Sequence, residues 1–506
     1  MDEIIKEYKE HRKKIIAFRY VDWLINWDQK TQAPKKSGKF RAEQVEVLSE
    51  MYFDLRKDSK FLNNIDYLKE NLNKINDEDL KKDILKIDKE LRVIRSVPIN
   101  EYIDYQVVLA ESTKVWQEAR DQNDFEIFVP ALEKIVDYHK RRIKYIGSSD
   151  LQGYDVLLDE YEEGKDTKFY DDFFNNLKEE LVPFVALITK GKKTNYNRKL
   201  TTREYPIYKQ KEISKYFIDQ FAFDLKRGAI RDTVHPFTSG ISSTDIRITV
   251  DYEINNFTTS ITSIMHEMGH AIYDQNNDPK YNGTFLFGSP TYGLHEAQAR
   301  FYENMIGRSF AFWKRHYPKL EEVFPKQLAG INSLEYYRFI NHAKRSKIRT
   351  EADELTYPLH IMVRYEIEKE LFEDKLKVRD IPKRWRTLMA NYVGVRPKDD
   401  LEGPLQDIHW ALGSFGYFPV YALANAYAVQ IYNAMNRDLN VESVIENENI
   451  YLINDWLKVK INRFGASKSA EELLIEATGE AFNPKYYIDY LKNKFTMLKN
   501  LEDLKK

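Results

Sequence analysis

Cysteine is absent from all 506 residues. That excludes disulfides, thiol nucleophiles and thiolate metal sites, so any bound metal must sit on His, Asp or Glu. A run of about 18 apolar residues is also missing, so no transmembrane helix is expected. There is no basic excess either: 78 Lys and Arg stand against 80 Asp and Glu, a net charge of −2, and a nucleic-acid-binding protein is not expected from that balance. The opening residues, Met1-Asp-Glu-Ile-Ile-Lys-Glu-Tyr8, are charged from the start and lack the apolar region of a signal peptide. No Gly-rich nucleotide loop, internal repeat or low-complexity linker interrupts the chain. The expectation is a cytoplasmic protein, and the many Lys and Glu residues are compatible with a thermophilic source.

Against these absences stands one dense motif, His266-Glu-Met-Gly-His270. Residues four apart on an α-helix share a face, so His266 and His270 can place two imidazole nitrogens on one ion. Glu267 projects beside them, where a carboxylate can take a proton from an attacking water. Ile261, Ile264, Met265, Met268, Ala271 and Ile272 recur at helical spacing around the motif, which predicts a buried helix. Two imidazoles leave a catalytic zinc site one protein ligand short. The segment Tyr292-Gly-Leu-His-Glu-Ala-Gln-Ala-Arg300 opens a second helix and offers Glu296, with His295 as the alternative; Arg300 and Glu303 continue the face that Glu296 begins.

The rest of the chain reads as mostly helical, with 42% hydrophobic and 14% aromatic residues, enough for a large packed core. The clearest strand is 245–252, where Ile246, Ile248 and Val250 alternate with polar residues. It lies just upstream of the metal motif and can either form the cleft edge and pair with an extended peptide or serve as an ordinary sheet strand with a polar face. The basic stretch 190–202 reads as an exposed turn rather than a phosphate site. Segment 359–371 reads as an amphipathic helix, and 413–421 as a Gly- and aromatic-rich turn that could wall a pocket.

Several stretches together resemble the carboxypeptidase Taq family of zinc-dependent metallocarboxypeptidases. They are Trp27-Asp-Gln with Arg41-Ala-Glu-Gln44, Tyr154-Asp-Val-Leu-Leu-Asp159, His235-Pro-Phe237, Asp245-Ile-Arg-Ile-Thr249, His266-Glu-Met-Gly-His270, His295-Glu-Ala-Gln298, Arg349 with Glu351-Ala-Asp-Glu354, Gln406-Asp-Ile-His-Trp410 and Gly416-Tyr-Phe-Pro-Val-Tyr421. They run in family order along nearly the whole chain. The resemblance implies a mainly α, neurolysin-like fold with a deep central groove and a small sheet beside the metal helix. It implies one metallocarboxypeptidase domain over 1–506, with two helical lobes flanking the groove. It also implies a homodimer that removes single C-terminal residues from peptides with a free C-terminus.

Carried over by position, His266, His270 and Glu296 look like the zinc ligands, with cobalt able to substitute, and Glu267 like the general base. Arg349 suits the substrate carboxylate, because guanidinium forms a bidentate fork with that group; a salt bridge to Glu351 or Asp353 is its competing use. Tyr421, Tyr417, His235 and His409 are the candidates for donating to the developing oxyanion. Arg247 matches a groove-lining position. One departure is Ala299, where the family more often has serine. An endopeptidase or dipeptidyl carboxypeptidase on the same scaffold, or a catalytically silent helical binding protein, are the alternative readings.

Overall fold

The structure is a computed structural model that describes residues 1–190, 200–447 and 449–503. Positions 191–199 of the basic stretch 190–202 therefore lie outside the described residues. The fold is mainly helical, with one three-stranded sheet among the described residues. The elements that frame the site are α1 (Asp2–Thr31), α2 (Gly38–Lys57), β1 (Gly228–Asp232), β2 (Thr238–Ser242), β3 (Asp245–Val250), α3 (Phe257–Gln275), α4 (Tyr292–Arg300), α5 (Tyr357–Phe372) and α6 (Phe418–Leu439). No described helix is long and apolar enough to cross a membrane.

Two hydrophobic cores hold the chain. The smaller one joins Tyr8 and Ile15 of α1 to Phe61, Ile65, Leu68, Ile84, Ile87 and Leu91, and reaches Phe285. The larger one runs through α3 to α6. On α3 every apolar position expected to face inward is buried: Ile261, Ile264, Met265, Met268, Ala271 and Ile272. Gly269 lies inside that continuous helix, where a glycine costs about 1 kcal/mol against alanine. The reason is contact: a Cβ at 269 would meet the Ala299 Cα at 2.6 Å and the Gln298 carbonyl oxygen at 2.8 Å. The backbones of α3 and α4 thus touch at a point where neither offers bulk.

The strand expectation is met in place, and of its two roles the ordinary sheet strand holds. β3 occupies the middle of the sheet, parallel to β1 and antiparallel to β2. Both of its edges are paired, so it cannot accept an extended peptide. β2 is an outer strand and lies next to the chemistry, with a register shift between Gly240 and Ser242.

Two further expectations are corrected. Segment 359–371 is not amphipathic: α5 is buried nearly all round, and its polar residues His360, Arg364 and Glu368 are fully buried with the apolar ones. Polar side chains at helical spacing look like a solvated face, but Arg364 and Glu368 are paired internally. The 413–421 turn ends at Tyr417; α6 begins at Phe418, so Tyr421 stands in its first turn. Pro419 is tolerated there because first-turn N–H groups have no intrahelical acceptor.

Candidate active site

His266 and His270 project from one face of α3, as their spacing requires, with ring centroids 4.9 Å apart. Glu296 comes from the first turns of α4. Its Oε2 lies 3.6 Å from His266 Nε2 and 3.4 Å from His270 Nε2. Tetrahedral ligands at ordinary zinc distances would stand about 3.4 Å from one another, so this donor set fits a divalent metal. The three ligand atoms fall within 4.8 Å of each other, the one such group among the described residues.

His295 turns elsewhere. Its Nε2 lies 3.1 Å from Asp274 Oδ1, one turn beyond His270 on α3, and its ring packs 4.4 Å from that of His270. It braces the metal helix from outside the ligand group.

A second layer orients two of these side chains, His266 and Glu296. Glu303 Oε2 sits 3.0 Å from His266 Nδ1, and Arg300 bridges the two carboxylates, with Nε donating to Glu296 Oε1 at 2.8 Å and Nη1 to Glu303 Oε2 at 3.0 Å. One guanidinium thus fixes Glu296 directly and His266 through Glu303, the arrangement that outer groups take around a metal-binding set. It also leaves Oε2 as the oxygen of Glu296 that faces the imidazoles. Burial works to raise the Glu296 carboxyl, but Arg300, His266 and His270 outweigh it and hold it well below the usual range. Glu303 behaves alike: against burial, Arg300 and His266 bring it down to about 2.

Glu267 differs. It is buried, and burial pushes its carboxyl up despite His266 and the Thr238 hydroxyl. That hydroxyl, on β2, lies 2.7 Å from Glu267 Oε2 and 2.9 Å from its backbone oxygen. A raised carboxyl suits a group that must both take and return a proton.

Across the groove, Arg349 meets neither Glu351 nor Asp353. Its Nε and Nη2 reach Asp407 Oδ1 at 2.9 and 2.8 Å, and Nη1 donates to the Tyr357 hydroxyl at 3.2 Å. Asp353 instead closes the turn ahead of α5, accepting from the backbone of Lys344, Leu355 and Thr356. Arg364, with no exposed surface, grips the other oxygen of Asp407 at 2.7 and 2.5 Å. Gln406 Oε1 accepts from the Arg349 amide and from Arg364, both at 2.8 Å.

The Arg349 guanidinium lies 5.5 Å from the Tyr421 ring centroid. His409 Nε2 approaches the Tyr421 hydroxyl at 3.4 Å, and the Tyr417 and Tyr421 rings are 5.0 Å apart. Burial, followed by Arg349, pushes His409 down to about 4. Burial raises the hydroxyls of Tyr417 and Tyr421. Both tyrosines therefore keep a proton to donate at neutral pH.

The remaining two predicted residues lie toward β2. Arg247 on β3 pairs with Asp245 through two 2.8 Å bonds and stacks 4.4 Å over Trp23 of α1. His235 stands exposed in the connection between β1 and β2. Thr238, Tyr357 and the partnership of Asp407 with two arginines escaped the sequence reading. The adjacency of Asp407 to His409 in one matching stretch was the signal for the last.

Comparison with known proteins gives one answer. The model of the carboxypeptidase Taq (M32) metallopeptidase family matches residues 7–495. Carboxypeptidase 1 of Bacillus subtilis is 39% identical over 495 residues, covering 97% of this chain and 98% of that protein. Thermostable carboxypeptidase 1 of Pyrococcus furiosus is 32% identical over 499 residues, covering 98% of this chain and 99% of the relative. A solved structure of Pyrococcus furiosus carboxypeptidase superposes with a TM-score of 0.93 at 32% identity, over 98% of this chain and 99% of that one. Matched over residues 7–495 by the family model and over nearly the full length of these relatives, the chain belongs to the carboxypeptidase Taq (M32) metallopeptidase family and is a metallocarboxypeptidase, a hydrolase of peptide bonds.

Proposed function

We propose that His266, His270 and Glu296 hold zinc, for which cobalt can substitute, and that the enzyme releases single residues from the free C-terminus of peptides. The observation that carries this reading is the convergence of the three ligand atoms beside a buried Glu267. A divalent metal, when bound, supplies an electrophile for the scissile carbonyl and acidifies water.

The chain's own groups do the rest. Glu267 takes the proton of the attacking water on its carboxylate and delivers it to the departing amine nitrogen. Tyr421 is the first donor to the developing oxyanion, with Tyr417, His409 and His235 as further candidates around the groove. For carboxylate recognition, charge counting is informative. Arg349 and Arg364 bring two positive charges to a single Asp407. The excess positive charge suits one substrate carboxylate, and Arg349 keeps one N–H on each terminal nitrogen for it. Arg247, held 4.4 Å over the Trp23 ring, is the proposed contact to the peptide chain.

The chain acts as one catalytic unit of two helical lobes. The proposed compartment is the cytoplasm; cell fractionation checks this. A homodimer is the proposed assembly. α2 has no buried residue and leaves Phe40, Val47 and Met51 as apolar surface for a second copy; light scattering at twice the chain mass is expected.

The decisive experiment is mass spectrometry of a peptide digest, with and without chelator. A ladder of single C-terminal losses from the unblocked peptide, absent from its amidated counterpart and abolished by chelation, is expected. Dipeptide release or internal cleavage would overturn the assignment.

A further inference from the structure

Glu162 lies outside the chemistry described so far, yet it touches both helices that carry it. It follows the short helix Asp155–Asp159 and is completely buried. Three neutral groups donate to its carboxylate. The Thr291 hydroxyl and the Gly293 amide, at the start of α4, reach Oε1 and Oε2 at 3.0 Å each. The Tyr427 hydroxyl, on α6, reaches Oε1 at 3.2 Å.

The fit leaves no slack. A Cβ at position 293 would stand 2.3 Å from Glu162 Oε2, so the carboxylate fills the space that any other residue's side chain would need. Thr291 is the N-cap of α4, accepting from the Leu294 amide at 3.3 Å while donating to Glu162. The adjoining backbone is stitched as well, with the Tyr292 amide donating to the Tyr161 carbonyl at 3.2 Å. A carboxylate at this end of a helix is favoured by the helix dipole and satisfies amide donors that have no acceptor within the helix. Glu296 follows Gly293 by three positions, and Tyr421 precedes Tyr427 by six on α6.

We propose that Glu162 is a positioning residue: its carboxylate seats the first turn of α4 against α6, and so fixes Glu296 relative to Tyr421. The inference rests on the reading of Glu296 as a metal ligand. Each tether then has its own readout. The bonds to Thr291 and Gly293 govern metal affinity through Glu296. The bond to Tyr427 governs turnover through Tyr421.

The test uses the full chain, cobalt(II) as probe, and its absorption spectrum with chelator competition. Glu162→Gln keeps an acceptor for the two hydroxyls but turns an N–H toward the Gly293 amide. It is expected to weaken cobalt binding about tenfold, the scale of outer-shell changes, and to alter the cobalt spectrum. Thr291→Val should weaken cobalt binding in the same direction. Tyr427→Phe should lower kcat severalfold with KM and cobalt affinity unchanged. Should Glu162→Gln fail to fold, the other two variants carry the test. Variants that lower the melting temperature while leaving cobalt affinity, spectrum and kcat intact would reduce Glu162 to packing and overturn the proposal. Glu296→Ala is the control. If it retains full cobalt binding, the ligand reading itself fails and the inference with it. If it loses cobalt while the Glu162 and Thr291 variants do not, the inference alone fails.

Discussion

Buried carboxylates near the groove are held in two opposite ways. Glu296, Glu303 and Asp407 each lie against an arginine, and those guanidinium groups lead in keeping them charged in spite of burial. Glu162 and Glu368 receive only neutral donors. Glu368 accepts from the Tyr154 hydroxyl at 2.6 Å, the Trp410 indole at 2.7 Å and the Gly416 amide at 2.8 Å. Burial pushes both Glu162 and Glu368 up to about 7. The first set keeps a fixed negative charge beside the imidazoles and guanidinium groups. The second set holds loops and helix ends in register, where directional hydrogen bonding is the requirement. Glu267 stands between them, facing a histidine on one side and the Thr238 hydroxyl on the other.

Substitutions at each class should separate these roles. Glu267→Gln removes the intermediate case. Turnover should fall by about a hundred- to ten-thousand-fold, with metal content by atomic absorption unchanged; substantial residual hydrolysis would remove Glu267 as the base.

Arg349→Ala breaks the cation-held set on the substrate side. Hydrolysis of free-carboxylate peptides should drop roughly 10- to 100-fold in kcat/KM, the worth of charge-assisted hydrogen bonds. Binding of amidated analogues, measured as competitive inhibition, should change little. Equal losses on both would argue against carboxylate recognition.

Glu303→Gln breaks the same set on the metal side, and affinity for the metal should weaken about 10- to 100-fold. Equilibrium dialysis against a chelator reads it, and unchanged affinity would deny Glu303 any orienting role.

The smallest effect concerns pH. Glu368 ionises near 7 when folded against an ordinary value of 4.5. A raised value means the folded chain holds the proton more tightly, so this contribution to stability is complete below about pH 4.5 and lost as pH rises through about 7. Glu368→Gln should therefore flatten the decline in stability between pH 5 and 8, by roughly 1–3 kcal/mol. The cation-held Asp407 acts in the other direction, its contribution disappearing as pH falls below the ordinary carboxylate range. A slope unaffected by the glutamine would show that Glu368 does not titrate in that window.

What the sequence disclosed follows the range of each interaction. The pairing of His266 with His270 is set by one helical turn, and β3 by strict alternation, so both were legible. Glu296 was legible as a candidate third donor on the next helix, although spacing alone did not separate it from His295; in the fold Glu296 faces the two imidazoles while His295 faces Asp274. The partner of Arg349 was not legible. Asp407 lies 58 positions away, and nearer acids offered themselves first. The middle place of β3 depends on its pairing with β1, whose residues show no comparable alternation. The burial of α5 was hidden because Arg364 and Glu368 look like surface residues until Asp407, Tyr154 and Trp410 are folded onto them.

Gly269 sits inside the metal motif itself, between Glu267 and His270, and its missing side chain lets the Ala299 backbone come into contact. The gap between the helix bearing the histidines and the helix bearing Glu296 is therefore gauged by an atom that is not there. A methyl group added at 269 would wedge the helices apart and enlarge the cage while every donor stayed in the chain. Protein engineers seeking to retune ion size selectivity in this scaffold thus have a handle that leaves the ligands unchanged.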